Sequence, residues 1–137
     1  MDFDPEWANE KGSASFRRIP PLLKRDIEQF ARERNFPIGL AARFLLSYSL
    51  LEYKNGNLKF YPQMSQLGWT LYPEDVLGKK IKVTYRTVTF RKIPDWLDKE
   101  IESISRNIPL GSLSVAVKKG DVARTFFEYA VNNYRRQ

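Results

Sequence analysis

Two short segments of this chain hold cationic and hydroxyl side chains at matching places. Ser15, Arg17 and Arg18 lie in SFRRIP (residues 15–20), and Thr89, Arg91 and Lys92 lie in TFRKIP (residues 89–94), 74 positions later; Arg86 and Thr87 extend the second segment upstream. A guanidinium offers a planar fork of donors that fits the two acceptors on a guanine edge, and threonine can hydrogen-bond a base or touch a thymine methyl. These eight residues are the candidate base contacts. A phosphate needs a different arrangement, backbone amides at the start of a helix. Gly39 opens one helical pattern, and Lys118, Lys119 and Gly120 precede another, with two ammonium groups beside the amides. Those four are the candidate phosphate contacts. Asp121 works against the second site if its carboxylate faces the anion.

The composition removes most catalytic chemistry. The 137 residues include no cysteine and no histidine, so thiol nucleophiles, thiolate metal sites and the commonest general base are all missing. The carboxylates fall mostly on helix surfaces beside Lys or Arg, in the manner of solvated pairs. VKKGD (residues 117–121) has neither the glycine spacing nor the Ser/Thr of a nucleotide loop. No enzyme, cofactor or metal is expected. No apolar run is long enough to cross a bilayer and no signal segment opens the chain, so a cytoplasmic protein is expected. The net charge of +7 is uneven: residues 1–14 sum to −3, 15–56 to +4, 57–78 to −1 and 79–137 to +7. A basic surplus of this kind favours polyanionic partners.

The cationic segments belong to a longer repeat. SFRRIPPLLKRDIE and TFRKIPDWLDKEIE (residues 15–28 and 89–102) share Phe16/Phe90, Arg17/Arg91, Ile19/Ile93, Pro20/Pro94, Leu23/Leu97, Ile27/Ile101 and Glu28/Glu102. Each begins as an extended stretch that proline ends, and each continues as an amphipathic helix. Leu23, Ile27, Phe30 and Ala31 form the first apolar stripe; Leu97, Ile101 and Ile104 form the second. FPIG (36–39) breaks the first helix, IPLG (108–111) echoes it, and a second helical pattern follows in both units. That pattern carries Ala42–Arg43, Tyr48 and Tyr53 in one unit and Ala123–Arg124, Tyr129 and Tyr134 in the other, once a nine-residue insertion at 112–120 is allowed. Asn55–Gly56 is a natural stop for the first copy, and Asp121 is a natural N-cap for the second. The four tyrosines recur at helical spacing and suit a core or its edge. Four parts result: an acidic arm (1–14), a strand–helix–helix unit (15–56), an apolar connector packed on the body (57–78) and a second unit (79–137). One such unit cannot bury both faces of its helices or pair a lone strand. The expected fold is mainly α with a short two-stranded antiparallel β-ribbon, a pseudo-dimer in one chain sharing one core.

VTFRKIPDWLDKEIESIS (88–105) resembles the strand and first helix of the ribbon-helix-helix (Arc/MetJ/CopG-type) DNA-binding family, and DVARTFFEYAVNNY (121–134) resembles its second helix. The resemblance covers residues 79–134 and, less closely, 14–54. It implies a single-chain tandem counterpart of what is normally a homodimer. It also implies a ribbon seated in the DNA major groove, with second-helix starts holding phosphate. Family strands keep one strict alternation into the helix. Here Ile93 and Leu97, or Ile19 in the first unit, would then turn Thr89, Arg91 and Arg17 inward. Either both strands carry an extra residue at the exit, or the ribbon presents other side chains.

The resemblance implies double-stranded DNA as partner and transcriptional regulation as role, with the single chain as the working unit. Two other readings compete. Arg17 and Arg91 could instead form ion pairs with Asp26, Glu28, Asp98 or Glu100. The same fold could also serve as an interaction scaffold or antitoxin-like module, binding a protein through the arm or the connector.

Overall fold

The computed structural model describes residues 12–17, 19–65, 68–72, 87–108 and 117–135, with backbone course alone for 61–65 and 68–72. The elements run β1 (Ser13–Phe16), α1 (Pro21–Arg34), α2 (Ile38–Lys54), β2 (Tyr61–Ser65), β3 (Gly68–Tyr72), β4 (Val88–Arg91), α3 (Asp95–Asn107) and α4 (Lys119–Arg135). Strand, helix, helix therefore occurs twice. Among the described residues no helix is long and apolar enough to cross a membrane.

Proline sets where the first helix of each unit starts. Pro20 and Pro94 occupy the N-caps with extended ψ of 144° and 151°. Their carbonyls accept the first helical bonds, from Lys24 (3.1 Å) and from Leu97 and Asp98 (3.1 and 3.2 Å). α1 buries Leu23, Ile27, Phe30 and Ala31, the stripe expected from their spacing. α3 buries Leu97, Ile101 and Ile104, again as expected, together with Ser105. Asn35 closes α1 in the left-handed conformation (φ 58°), and Phe36 N–H returns to Ala31 O at 2.9 Å. Asparagine tolerates that conformation better than other residues with a Cβ.

β1 and β4 pair antiparallel, with Ser13 opposite Arg91, Ala14 opposite Phe90, Ser15 opposite Thr89 and Phe16 opposite Val88. The strand begins at Ser13, two residues inside the stretch read from sequence as arm. Ala14, Phe16, Val88 and Phe90 face inward and are buried. Under the ribbon, Phe127 of α4 meets both phenylalanines, with ring centroids 6.2 Å from Phe16 and 5.4 Å from Phe90.

The connector packs on the body as expected, and it does so as a hairpin that the sequence reading did not foresee. β2 and β3 form an antiparallel hairpin in which Ser65 pairs with Gly68, and β3 lies against α4. Leu58, at the hairpin's approach, is buried, and Phe60 stacks on Tyr53 and Phe126 (5.1 and 5.8 Å). The opening of the second unit, residues 79–86, lies outside the described residues.

Two registers relate the halves. The strand and first helix repeat at 74 residues, whereas the second helices repeat at 81: Ala42–Arg43 corresponds to Ala123–Arg124. Gly39 therefore corresponds to Gly120, not to Gly111 as the FPIG/IPLG echo suggested. The structure gives both glycines one task. A Cβ on Gly39 would collide with the Arg91 carbonyl oxygen, and one on Gly120 with the Arg17 carbonyl oxygen. Each second helix thus seats its first turn against the strand exit of the other unit. Asp121 is also corrected. It is the third residue of α4 rather than its N-cap, and its buried Oδ2 accepts the Lys118 backbone N–H at 3.0 Å. That is the reaching-back half of a capping box.

Other contacts obey the same exchange. Lys54 at the end of α2 pairs with Glu100 of α3 at 3.5 Å. Its counterpart Arg135, at the end of α4, pairs with Asp26 of α1. Tyr48 and Tyr129, equivalent in the two second helices, stack on each other with centroids 6.2 Å apart. Both hydroxyls converge on Glu52 Oε1 (3.2 and 3.4 Å), and Asn133 donates to the Tyr48 hydroxyl at 3.1 Å. The tyrosines are core-edge residues, as their spacing implied.

Replacing Gly39 or Gly120 with alanine should lower stability by about 1–3 kcal/mol through overpacking. An ordinary mid-helix Gly→Ala change would instead gain up to about 1 kcal/mol. Urea denaturation of G39A and G120A reads the sign directly. A second expectation concerns Glu128 on α4. Burial pushes its carboxyl from 4.5 up to about 7, against the opposing pull of Arg124. The native state then holds a proton that the unfolded chain releases. This contribution is complete below pH 4.5 and is lost as pH rises through 7. Glu128→Gln should flatten the fall in denaturation midpoint between pH 5 and pH 8.

Candidate nucleic-acid interface

The strand period of two separates the ribbon into an apolar underside and a polar upper side. Ser13, Ser15, Arg17, Thr87, Thr89 and Arg91 are all exposed. At the centre Ser15 Oγ and Thr89 Oγ1 are 2.6 Å apart across the strands. These two residues are equivalent in the 74-residue repeat, so the pseudo-twofold axis passes between them. Arg91 stands beside Ser13 at one end. The same register, continued one residue past β1, places Arg17 beside Thr87 at the other. The two arginines occupy diagonal ends of one surface, with hydroxyls between them.

The conflict over strand alternation is resolved by a residue at the exit. Lys92 adopts φ 67° and inserts one extra position between Arg91 and Ile93. Phe90 and Ile93 can then both be buried while Thr89 and Arg91 stay outward. The backbone N–H of Lys92 donates to Gly12 O at 2.8 Å, which fixes the bend to the start of β1. Lys92 is half-buried and leaves the outward row. In the first unit Phe16 and Ile19 are likewise both buried around exposed Arg17.

Three of the four acids proposed as structural partners of the arginines are engaged elsewhere. Asp26 holds Arg135, Glu100 holds Lys54, and Asp98 holds Lys119 at 2.8 Å. Among the described residues neither Arg17 nor Arg91 forms an ion pair.

The start of α2 lies beside the Arg91 end of the ribbon and the start of α4 beside the Arg17 end. Gly39 and Gly120 are buried there, so close packing explains these glycines before any anion does. α2 has no side-chain cap and no acid in its first turn. α4 carries the buried Asp121, whose carboxylate points back to Lys118 N–H and lies 4.0 Å from Arg124 rather than facing solvent. Lys119 is tied to Asp98 and its ammonium lies 5.5 Å from the Phe16 ring centroid. Lys118 is the exposed cation of that pair of lysines. The four phosphate candidates therefore differ in kind.

Of the base-contact candidates, Ser15, Arg17, Thr87, Thr89 and Arg91 come together on one face. Arg18 and Arg86 lie outside the described residues, as do the acidic arm before Gly12 and the 109–116 stretch that precedes α4. Ser13 belongs to the outward row and was missed. Extending the alternation two residues upstream of Ser15 would have found it.

Substituting Lys92 tests the exit geometry. Lys92→Val places a β-branched residue at positive φ and should cost about 1–3 kcal/mol. Lys92→Gly removes that strain and should retain the folded state, so the two variants should separate in thermal denaturation.

Comparison with protein-family models, with curated proteins and with solved structures finds no match for this chain.

Proposed function

We propose that this chain is a sequence-specific double-stranded DNA-binding protein and transcriptional regulator that presents its β1/β4 ribbon to the major groove. The observation that carries this reading is the outward row: two exposed arginines, unpaired with acids among the described residues, stand at diagonal ends of a four-residue ribbon whose centre is hydroxyls. A two-stranded ribbon fits a groove about 12 Å wide, where each base pair shows a distinct donor and acceptor pattern. The net charge of +7 supplies the long-range attraction. The strand–helix–helix order, present twice, is that of a tandem ribbon-helix-helix protein, and membership of that family is part of the proposal. The starts of α2 and α4, flanking the ribbon, are suited to meet the phosphates on either side.

Fluorescence anisotropy with a labelled duplex should show binding whose affinity falls steeply between about 50 and 200 mM salt as counterions are released. Arg91→Ala should cost about 1–3 kcal/mol of specific binding. Absence of duplex binding at low salt overturns the reading, and an Arg91→Ala variant that binds unchanged removes the ribbon from it.

A further inference from the structure

Accepting the ribbon as a major-groove reader, its register restricts what it can read. Arg91 stands opposite Ser13, and Ser13 and Arg17 are four residues apart on one strand direction. At a strand rise of about 3.3 Å per residue the two arginine Cα atoms are separated by roughly 13 Å along the ribbon. Base pairs rise about 3.4 Å apart along the duplex axis, and the groove runs obliquely to that axis, so this span corresponds to roughly three or four base steps. The pseudo-twofold axis passes through the Ser15–Thr89 pair, midway between the arginines. A twofold normal to a duplex exchanges its strands. Two guanidinium groups related by it therefore meet guanines on opposite strands.

The two ends are not chemically equal. Arg17 has Thr87 for its neighbour, whereas Arg91 has Ser13, the equivalent residue one methyl smaller. All four side chains are exposed. Thr and Ser offer the same hydroxyl, so the methyl is the whole difference, and a threonine methyl contacts the thymine C5-methyl favourably.

We infer that the preferred target is an inverted pair of G·C base pairs three or four steps apart, with a thymine favoured beside the guanine that Arg17 contacts and not beside the guanine that Arg91 contacts. The site is thus palindromic in its guanines and asymmetric in its flanking pyrimidine. Serine at position 13 leaves the second half indifferent to that methyl.

The full chain is titrated with duplexes in which the inverted G·C pairs are set two, three, four or six steps apart. Affinity should peak at three or four, with each G·C→A·T exchange weakening binding on the order of tenfold. In Arg17→Ala one of the two exchanges should lose its effect, and in Arg91→Ala the other, which identifies the halves. Replacing thymine by uracil beside the Arg17 guanine removes only the methyl and should weaken binding roughly fourfold. The same replacement beside the Arg91 guanine should change nothing. Thr87→Ser should abolish the uracil effect, and Ser13→Thr should create it in the other half. Binding that is equally tight at every spacing, or an equal uracil effect in both halves, overturns this inference while leaving duplex recognition standing. Failure to bind any duplex overturns both.

Discussion

Everything in this fold depends on two helix starts coming within van der Waals limits of two strand exits that belong to the opposite unit. Gly39 lies against the Arg91 carbonyl and Gly120 against the Arg17 carbonyl, at distances that no side chain tolerates. This exchange holds the short ribbon down on the helices. A two-stranded ribbon is marginal by itself in water. With its underside closed over Phe16, Phe90 and Phe127 and its ends pinned by α2 and α4, it becomes a rigid edge. The arginines then stand at fixed separation because their own backbone is what the glycines touch. Core packing and the outward row are one construction.

Joining the two units in one chain releases each pseudo-equivalent position from its twin. Glu52 corresponds to Asn133 across the axis, and the carboxylate gathers both Tyr48 and Tyr129 while the amide donates to Tyr48. Two glutamates so placed would repel, and two asparagines would offer the tyrosines only a neutral acceptor. Leu40 similarly corresponds to Asp121, and Ile38 to Lys119. One helix start is therefore apolar and without a side-chain cap, while the other carries a buried carboxylate and an ion pair with α3. Thr87 and Ser13 belong to the same class of divergence, placed on the exposed row of the ribbon rather than in the core.

Much of this was legible from spacing alone. The apolar stripes of α1 and α3, the prolines that open them and the pairing of the two repeated strands follow from periods of 3.6 and 2 and from the covalent limits of proline. Other features were hidden for identifiable reasons. The positive φ at Lys92 is a backbone choice that lysine does not advertise, and without it the alternation of Phe90 and Ile93 looks contradictory. The match of Gly39 to Gly120 was obscured because a nearer glycine, Gly111, sits in a more similar tetrapeptide. Proximity to the opposite strand, which no local pattern records, distinguishes the two. The ion pairs of Asp26 and Glu100 with residues at the ends of α4 and α2 join positions more than forty residues apart, so the acids looked available to Arg17 and Arg91 until the exchange was seen.

The tether between the halves has a thermodynamic consequence. In a two-chain assembly of this shape, the shared core would form by a bimolecular step and come apart on dilution. Here the second half is held at an effective concentration set by the covalent connector rather than by the amount of protein present. Assembly is first-order, and the melting point should not depend on protein concentration. However dilute the protein, every copy would stay in the paired form, with no pool of half-built subunits awaiting a mate.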